Sequence, residues 1–181
     1  MANYGTREGA DIYHEERGNQ VWLTFSDEQK DQALTRGSDY IDRMFRVEMP
    51  SGFWVSQFVG VKSVPARFRE WPRNDVVDYS GFIYPDDTTP EEVEYATYEA
   101  ALREAESPGS LFPDYTVTSE QGPVIQETVG PVTVKYSDLA KNVKGYEKRP
   151  PNMPIVPAIE STLAPFLKPI SGAYGIGIMV V

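Results

Sequence analysis

Ser26-Asp27-Glu28-Gln29-Lys30-Asp31-Gln32-Ala33-Leu34-Thr35-Arg36-Gly37-Ser38-Asp39-Tyr40-Ile41-Asp42-Arg43-Met44-Phe45 is the stretch that decides the fold. Its first four residues form a capping box. The Ser26 hydroxyl can accept the amide three residues on, and the Gln29 side chain can reach back to the Ser26 amide. From there Ala33, Gly37, Tyr40, Ile41 and Met44 recur at helical spacing, with Leu34 and Phe45 at the margins. Asp27, Lys30, Asp31 and Asp42 fall opposite. The spacing predicts an amphipathic helix to about Phe45 whose apolar stripe needs partners.

Those partners lie on either side in the sequence. Residues 6–18 predict a short helix, with Thr6 as N-cap and Gly18 placed to end it; Ala10, Tyr13 and Arg17 would share a face. Trp22 and Phe25 follow in a short link. Further on, Thr89-Pro90-Glu91-Glu92 offers an N-cap, a proline at the first helical position and two acids at the positive end of the dipole. The helix it starts runs over 90–106 and stops at Ser107-Pro108-Gly109. It has two apolar stripes, one of Val93, Ala96, Thr97, Ala100 and Ala101 and one of Tyr95, Tyr98, Leu102 and Ala105. Two stripes imply burial on two sides, within a bundle or against a neighbouring subunit.

Between these helices, residues 46–88 have no helical period. Phe53, Trp54, Val55, Phe58, Val59, Val61 and Val64 are types enriched in strands, interrupted by Gly52, Gly60 and Pro65. A long ordered loop with short strands is expected, and loops of this length are commonly functional. Beyond the last helix, 124–128 and 132–136 predict a β-hairpin around Gly130-Pro131, since Val132, Val134 and Tyr136 alternate with Thr133 and Lys135. After Ser137 the chain reads as extended, with Pro150-Pro151 favouring polyproline II. A short helix over 158–167 would present Ile159, Leu163, Phe166 and Leu167. The fold class is mainly α: a small bundle of three or four helices, a β-hairpin and a long extended C-terminal arm. The expected divisions are a helical body over 1–110 with the inserted loop, a hairpin region over 111–137, and an arm over 138–181.

The chain has 181 residues, 40% apolar and 12% aromatic, enough for one modest core. There is no cysteine, which excludes disulfides and thiolate metal sites. No apolar run near Met1 resembles a signal peptide, and no charge-free stretch is long enough to span a bilayer, so a soluble protein made inside a cell is expected. The net charge is −10, against the basic footprint that free nucleic-acid binding usually leaves. The charge is uneven. Residues 131–181 carry six Lys/Arg against three acids, +3, while the other 130 carry 11 against 24, −13. Seven of the 15 prolines also fall in that last part. An acidic body is joined to a basic, proline-rich arm.

Chemistry is sparse. His14, the one histidine, lies in a predicted helix without metal-ligand or triad context and reads as a surface or packing residue. Glu91/Glu92 and Asp86/Asp87 read as helix-dipole compensation and a solvated turn. Gly172-Ala173-Tyr174-Gly175-Ile176-Gly177 resembles a dinucleotide fingerprint only superficially, since no helix follows. No catalytic residue, cofactor site or metal site is expected, and the chain reads as a non-enzyme.

Two features suit binding instead. Arg67, Arg69, Trp71 and Arg73 set an aromatic among cations. That pattern fits a subunit interface, a core element, or a clamp for single-stranded nucleic acid. Tyr95 and Tyr98 are further candidates for a subunit interface. The uncharged C-terminal stretch presents Pro169, Tyr174, Ile176, Ile178, Met179, Val180 and Val181. Left free it would be a sticky β-prone segment, so docking of this end on a partner is expected.

Several runs resemble one family. They are Ala10-Asp11-Ile12-Tyr13-His14-Glu15-Glu16-Arg17-Gly18-Asn19-Gln20-Val21-Trp22, then Ala33-Leu34-Thr35-Arg36-Gly37-Ser38-Asp39-Tyr40-Ile41-Asp42, then Trp71-Pro72-Arg73, residues 90–102, Val129-Gly130-Pro131-Val132 and Tyr136. Together they resemble tailed-bacteriophage head–tail connector or adaptor (head-completion) proteins, a group that also carries the name of a DnaT-like single-stranded-DNA-binding protein. The likeness covers the chain to about Tyr136 and the remainder more loosely. Simple adaptors are often shorter than this chain. The resemblance implies a helical-bundle subunit that forms a dodecameric ring beneath the portal at the virion neck, made in the host cytoplasm. It also implies a C-terminal arm reaching the portal, stopper or tail-completion proteins as further partners, and DNA passing through the channel without specific binding. An acidic wall suits that passage, because like charge suppresses phosphate binding. The other function class is a replication-associated single-strand binder, which predicts salt-sensitive oligonucleotide binding through Trp71 and Arg73.

Overall fold

A computed structural model of the chain describes residues 3–49, 51–64, 68–113, 126–129, 132–135 and 153–168. Helix α1 (Arg7–Glu16) starts at Thr6, whose hydroxyl accepts the Gly9 amide at 3.0 Å. Gly18 follows its end with φ +70°, the left-handed conformation that glycine adopts without strain. A four-residue helix α2 (Gln20–Leu23) stands where a link was expected, and it buries Trp22. Helix α3 (Asp27–Met44) has the complete capping box on Ser26 and Gln29.

Two short antiparallel pairs follow. Strands β1 (Arg46–Glu48) and β2 (Trp54–Ser56) form a hairpin with Val47 opposite Val55. Strands β3 (Val61–Lys62) and β4 (Arg73–Asn74) form the second pair. Helix α4 (Glu91–Glu106) is capped by Pro90, not Thr89, with no side-chain cap bond. Three acids in its first turn meet the dipole instead. Strands β5 (Gln126–Val129) and β6 (Val132–Lys135) pair in antiparallel fashion, as the alternation predicted. Helix α5 (Pro157–Leu163) runs into a 3₁₀ turn at Ala164–Phe166.

Helices α3 and α4 make the central contact. Gly37 is essential to it: a Cβ there would lie 2.9 Å from the Thr97 carbonyl oxygen and 3.1 Å from the Ala101 amide. The main core joins Tyr40, Ile41 and Met44 of α3 to Val93, Ala96 and Ala100 of α4. A second cluster gathers Ala10, Tyr13, Trp22, Leu34, Tyr98 and Ala101 beneath α1 and α2.

One expectation is corrected: α5 is not part of an arm held away from the body. It sinks Ile159, Leu163 and Phe166 into the main core. The chain just beyond it also pairs with the 46–88 excursion. The Val59 amide donates to the Phe166 carbonyl, and the Lys168 amide to that of Gln57, each at 2.8 Å. The apolar period of α5 outweighs the extended character of the prolines around it, because three large side chains find a core to fill. The charged residues opposite the apolar stripe of α3 are not all in water. Asp42 and Lys30 are buried. Each is covered by a segment that supplies a charge partner, Arg69 for Asp42 at 2.9 Å and Asp11 for Lys30 at 2.8 Å. No helix among the described residues is long and apolar enough to cross a membrane.

Candidate functional site

Three of the residues read as a subunit interface, a core element or a clamp for single-stranded nucleic acid lie inside the chain. Trp71, Arg69 and Arg73 are all buried. The Trp71 ring packs edge-on against Phe58 at 5.4 Å and Phe166 at 5.9 Å between centroids. Arg69 Nη1 bridges Asp39 at 2.6 Å and Asp42 at 2.9 Å. Tyr4 donates its hydroxyl to the same Asp42 carboxylate and accepts the Trp71 amide at 3.0 Å. Arg73 donates to the Val59 carbonyl at 2.7 Å, the Gly60 carbonyl at 2.9 Å and the Glu70 carboxylate at 3.1 Å. Burial pushes the Asp42 carboxyl upward, and bonds from Tyr4, Arg69 and the Glu70 amide offset part of that. Burial also opposes the charge on Arg69, but Asp42 and Asp39 together outweigh it and raise its pKa. These groups lock the excursion to α3, and a base has no open face of Trp71 to stack on.

Tyr98 is buried beneath α1, and Tyr95 is half-buried on α4 against Tyr13 of α1. Pro169, Tyr174, Ile176, Ile178, Met179, Val180 and Val181 lie outside the described residues, as does Arg67. His14, read as a surface or packing residue, is fully buried. Its Nε2 lies 3.2 Å from the Tyr98 carbonyl oxygen and its Nδ1 3.1 Å from Asn19 Nδ2. A carbonyl only accepts, so Nε2 carries the proton and Nδ1 accepts from the amide.

In the 46–88 loop, a segment of a length that is commonly functional, many apolar side chains are left in water. Among the described residues, fifteen large apolar side chains are exposed, and eleven of them fall between Met49 and Ile83. The hairpin β1–β2 presents Phe53, Trp54 and Val55, with Phe53 74% exposed. The turn at Asp78 presents Tyr79, Phe82 and Ile83, with Tyr79 82% exposed. That turn is firmly braced. One Asp78 oxygen accepts the Ser80 hydroxyl at 2.7 Å, the Ser80 amide at 2.8 Å and the Phe82 amide at 2.9 Å. Those bonds, led by the Ser80 hydroxyl, hold the carboxyl below its ordinary range. Val77 and Ile83 bridge across the turn. The signal in the sequence was the apolar content of a segment broken by Gly and Pro, which cannot all reach a core of this size.

Few accessible cations accompany this surface. The described cations between residues 49 and 83 are Lys62, Arg69 and Arg73, and both arginines are buried. Among the described residues no three His, Asp or Glu side chains converge as a metal-ligand group.

The molecule is therefore a helical body with a sealed core and an apolar excursion braced toward solvent. A family model described as "Putative DnaT-like ssDNA binding protein" matches residues 2–180, and the chain belongs to that family. No curated protein and no solved structure matches it.

Proposed function

We propose that this chain is a structural subunit without enzymatic activity: a head-to-tail adaptor of a tailed-phage virion. In this reading copies of the chain form a ring, dock on the portal through the C-terminal residues 169–181, and extend the DNA channel toward the tail. The ring sits at the virion neck, between the portal and the stopper or tail-completion proteins. The observation that carries the self-assembly is the braced apolar excursion. Monomeric proteins rarely leave such surface in water, and large exposed apolar patches mark interaction sites. Trp and Phe on rigid turns are also the side chains that anchor interfaces. The balance of −13 over the first 130 residues suits a wall past which DNA slides. The link to a virion rests on the sequence resemblance.

The family description supports a second reading, single-stranded-DNA binding, with Phe53, Trp54, Tyr79 and Phe82 as stacking platforms. Such platforms need cations beside them for the phosphates. Arg69 and Arg73 are committed to partners inside the chain, which leaves Lys62 as the accessible described cation of the excursion, so the apolar surface favours protein. Two measurements test the choice. The full chain binds purified portal rings, and deletion of residues 169–181 abolishes that binding while leaving the helical circular-dichroism signal intact. A truncated chain that still binds the portal normally contradicts the docking. Salt-sensitive oligonucleotide binding in a gel shift favours the second reading.

A further inference from the structure

Away from the excursion, a groove of about 300 Å³ opens between α1 and α4. Its walls include three tyrosines, Tyr13, Tyr95 and Tyr98, and three acids, Glu16, Glu91 and Glu94. The Tyr13 centroid lies 5.0 Å from that of Tyr95 and 5.5 Å from that of Tyr98. Each hydroxyl ends on a carboxylate: Tyr13 donates to Glu99 at 2.9 Å, Tyr95 to Glu91 at 3.2 Å and Tyr98 to Glu94 at 3.4 Å. Burial pushes the Tyr98 phenol up to about 12. The rings are therefore neutral, with electron-rich faces that attract cations.

One cation is already seated there. The Arg17 guanidinium carbon lies 3.5 Å from the Tyr13 centroid and 5.6 Å from that of Tyr95. Its Nη1 donates to the Tyr13 carbonyl at 3.2 Å. The groove thus demonstrates within one molecule the chemistry it accepts. Arg17 alone against Glu16, Glu91 and Glu94 leaves the lining two charges negative. The volume is at the lower end for small-molecule sites and suits one or two long side chains.

We propose that this groove receives the basic stretch at residues 141–149 of a second copy of the chain. That stretch, Lys141-Asn142-Val143-Lys144-Gly145-Tyr146-Glu147-Lys148-Arg149, sets four cations against one acid and holds more Lys and Arg than any other nine-residue window in the sequence. Its charge of +3 complements the acidic lining. Lysine stems lie along exposed Ile12 at the rim while their ammonium groups meet the ring faces and Glu91. The inference rests on the self-assembly reading and adds a second contact to it, distinct from the apolar excursion. Two weak contacts per neighbour repeated around a closed assembly give high avidity.

The chain has no cysteine, so paired cysteines report contact cleanly. Full-length Ile12→Cys/Lys144→Cys is made with and without heavy-isotope label, mixed in equal amounts, oxidised and digested, and its mass in solution is measured in parallel. The expected result is an oligomer whose 12–144 disulfide joins labelled to unlabelled peptide. An oligomer with no such disulfide, or with one only inside single chains, overturns the docking and leaves the self-assembly standing. A chain that is monomeric at every concentration overturns both. As a second variant, Glu91→Lys weakens association at least threefold, and adding Lys144→Glu restores it. Unchanged association in Glu91→Lys also overturns the docking.

Discussion

Arg69 and Asp42 meet 2.9 Å apart inside the chain, one from the non-helical excursion and one from the polar side of α3. The same arginine holds Asp39, and the same aspartate holds Tyr4 and the Glu70 amide. This contact fixes how the excursion leaves the body, and so how its apolar side chains are displayed.

Removing one partner leaves the other charge buried. Arg69→Met is expected to destabilise the fold by about 3–5 kcal/mol. Urea unfolding followed by helical circular dichroism measures it. A loss below about 1 kcal/mol would show that water reaches Asp42 and the lock is loose.

The α3–α4 contact makes a second prediction. Gly37→Ala raises helix propensity by about 1 kcal/mol, yet its Cβ meets backbone on α4 that cannot turn aside. A net destabilisation of about 1–3 kcal/mol is expected from overpacking. A stabilised variant would mean the helices separate easily at that point.

The helices were legible because local signals and burial agree. Ser26, Thr6 and Gly18 punctuate α1 and α3 as their chemistry dictates, and the stripe of Gly37, Tyr40, Ile41 and Met44 is buried. The burial of Asp42, Lys30 and Trp71 was not legible, for a shared reason. Their environment is made by residues far along the chain, and no local period announces that a charge will be covered by its partner. Which apolar side chains of the 46–88 loop face water was not legible from the same cause. Phe53 and Phe58 look alike in sequence, yet the first is exposed and the second fully buried. Only the pairing of 57–59 with the chain after α5 decides between them.

His14 makes stability depend on pH. Burial lowers its pKa below the ordinary value, so the unfolded chain takes up the proton first, near pH 6.5. The contribution is complete above about pH 6.5 and is lost as pH falls below it. Denaturation midpoints of wild type and His14→Gln at pH 7.5 and pH 5.5 check the sign. The wild-type advantage narrows at the lower pH; a wider advantage there would mean His14 is charged in the folded state.

The exposed hairpin separates association from folding. Phe53→Ser/Trp54→Ser removes apolar surface that touches water, so monomer stability changes by about 0.5 kcal/mol or less per site. Sedimentation velocity is expected to show weaker self-association with an unchanged thermal midpoint. Equal association with a lowered midpoint would place these side chains in the fold instead of an interface.

Self-assembly is decided by the solution mass of the full-length chain, measured by light scattering across a concentration series. An assembly subunit gives a discrete species at a whole multiple of 20.3 kDa that Phe53→Ser/Trp54→Ser diminishes. A chain that stays at the monomer mass throughout, with its apolar excursion unpartnered, would contradict the account.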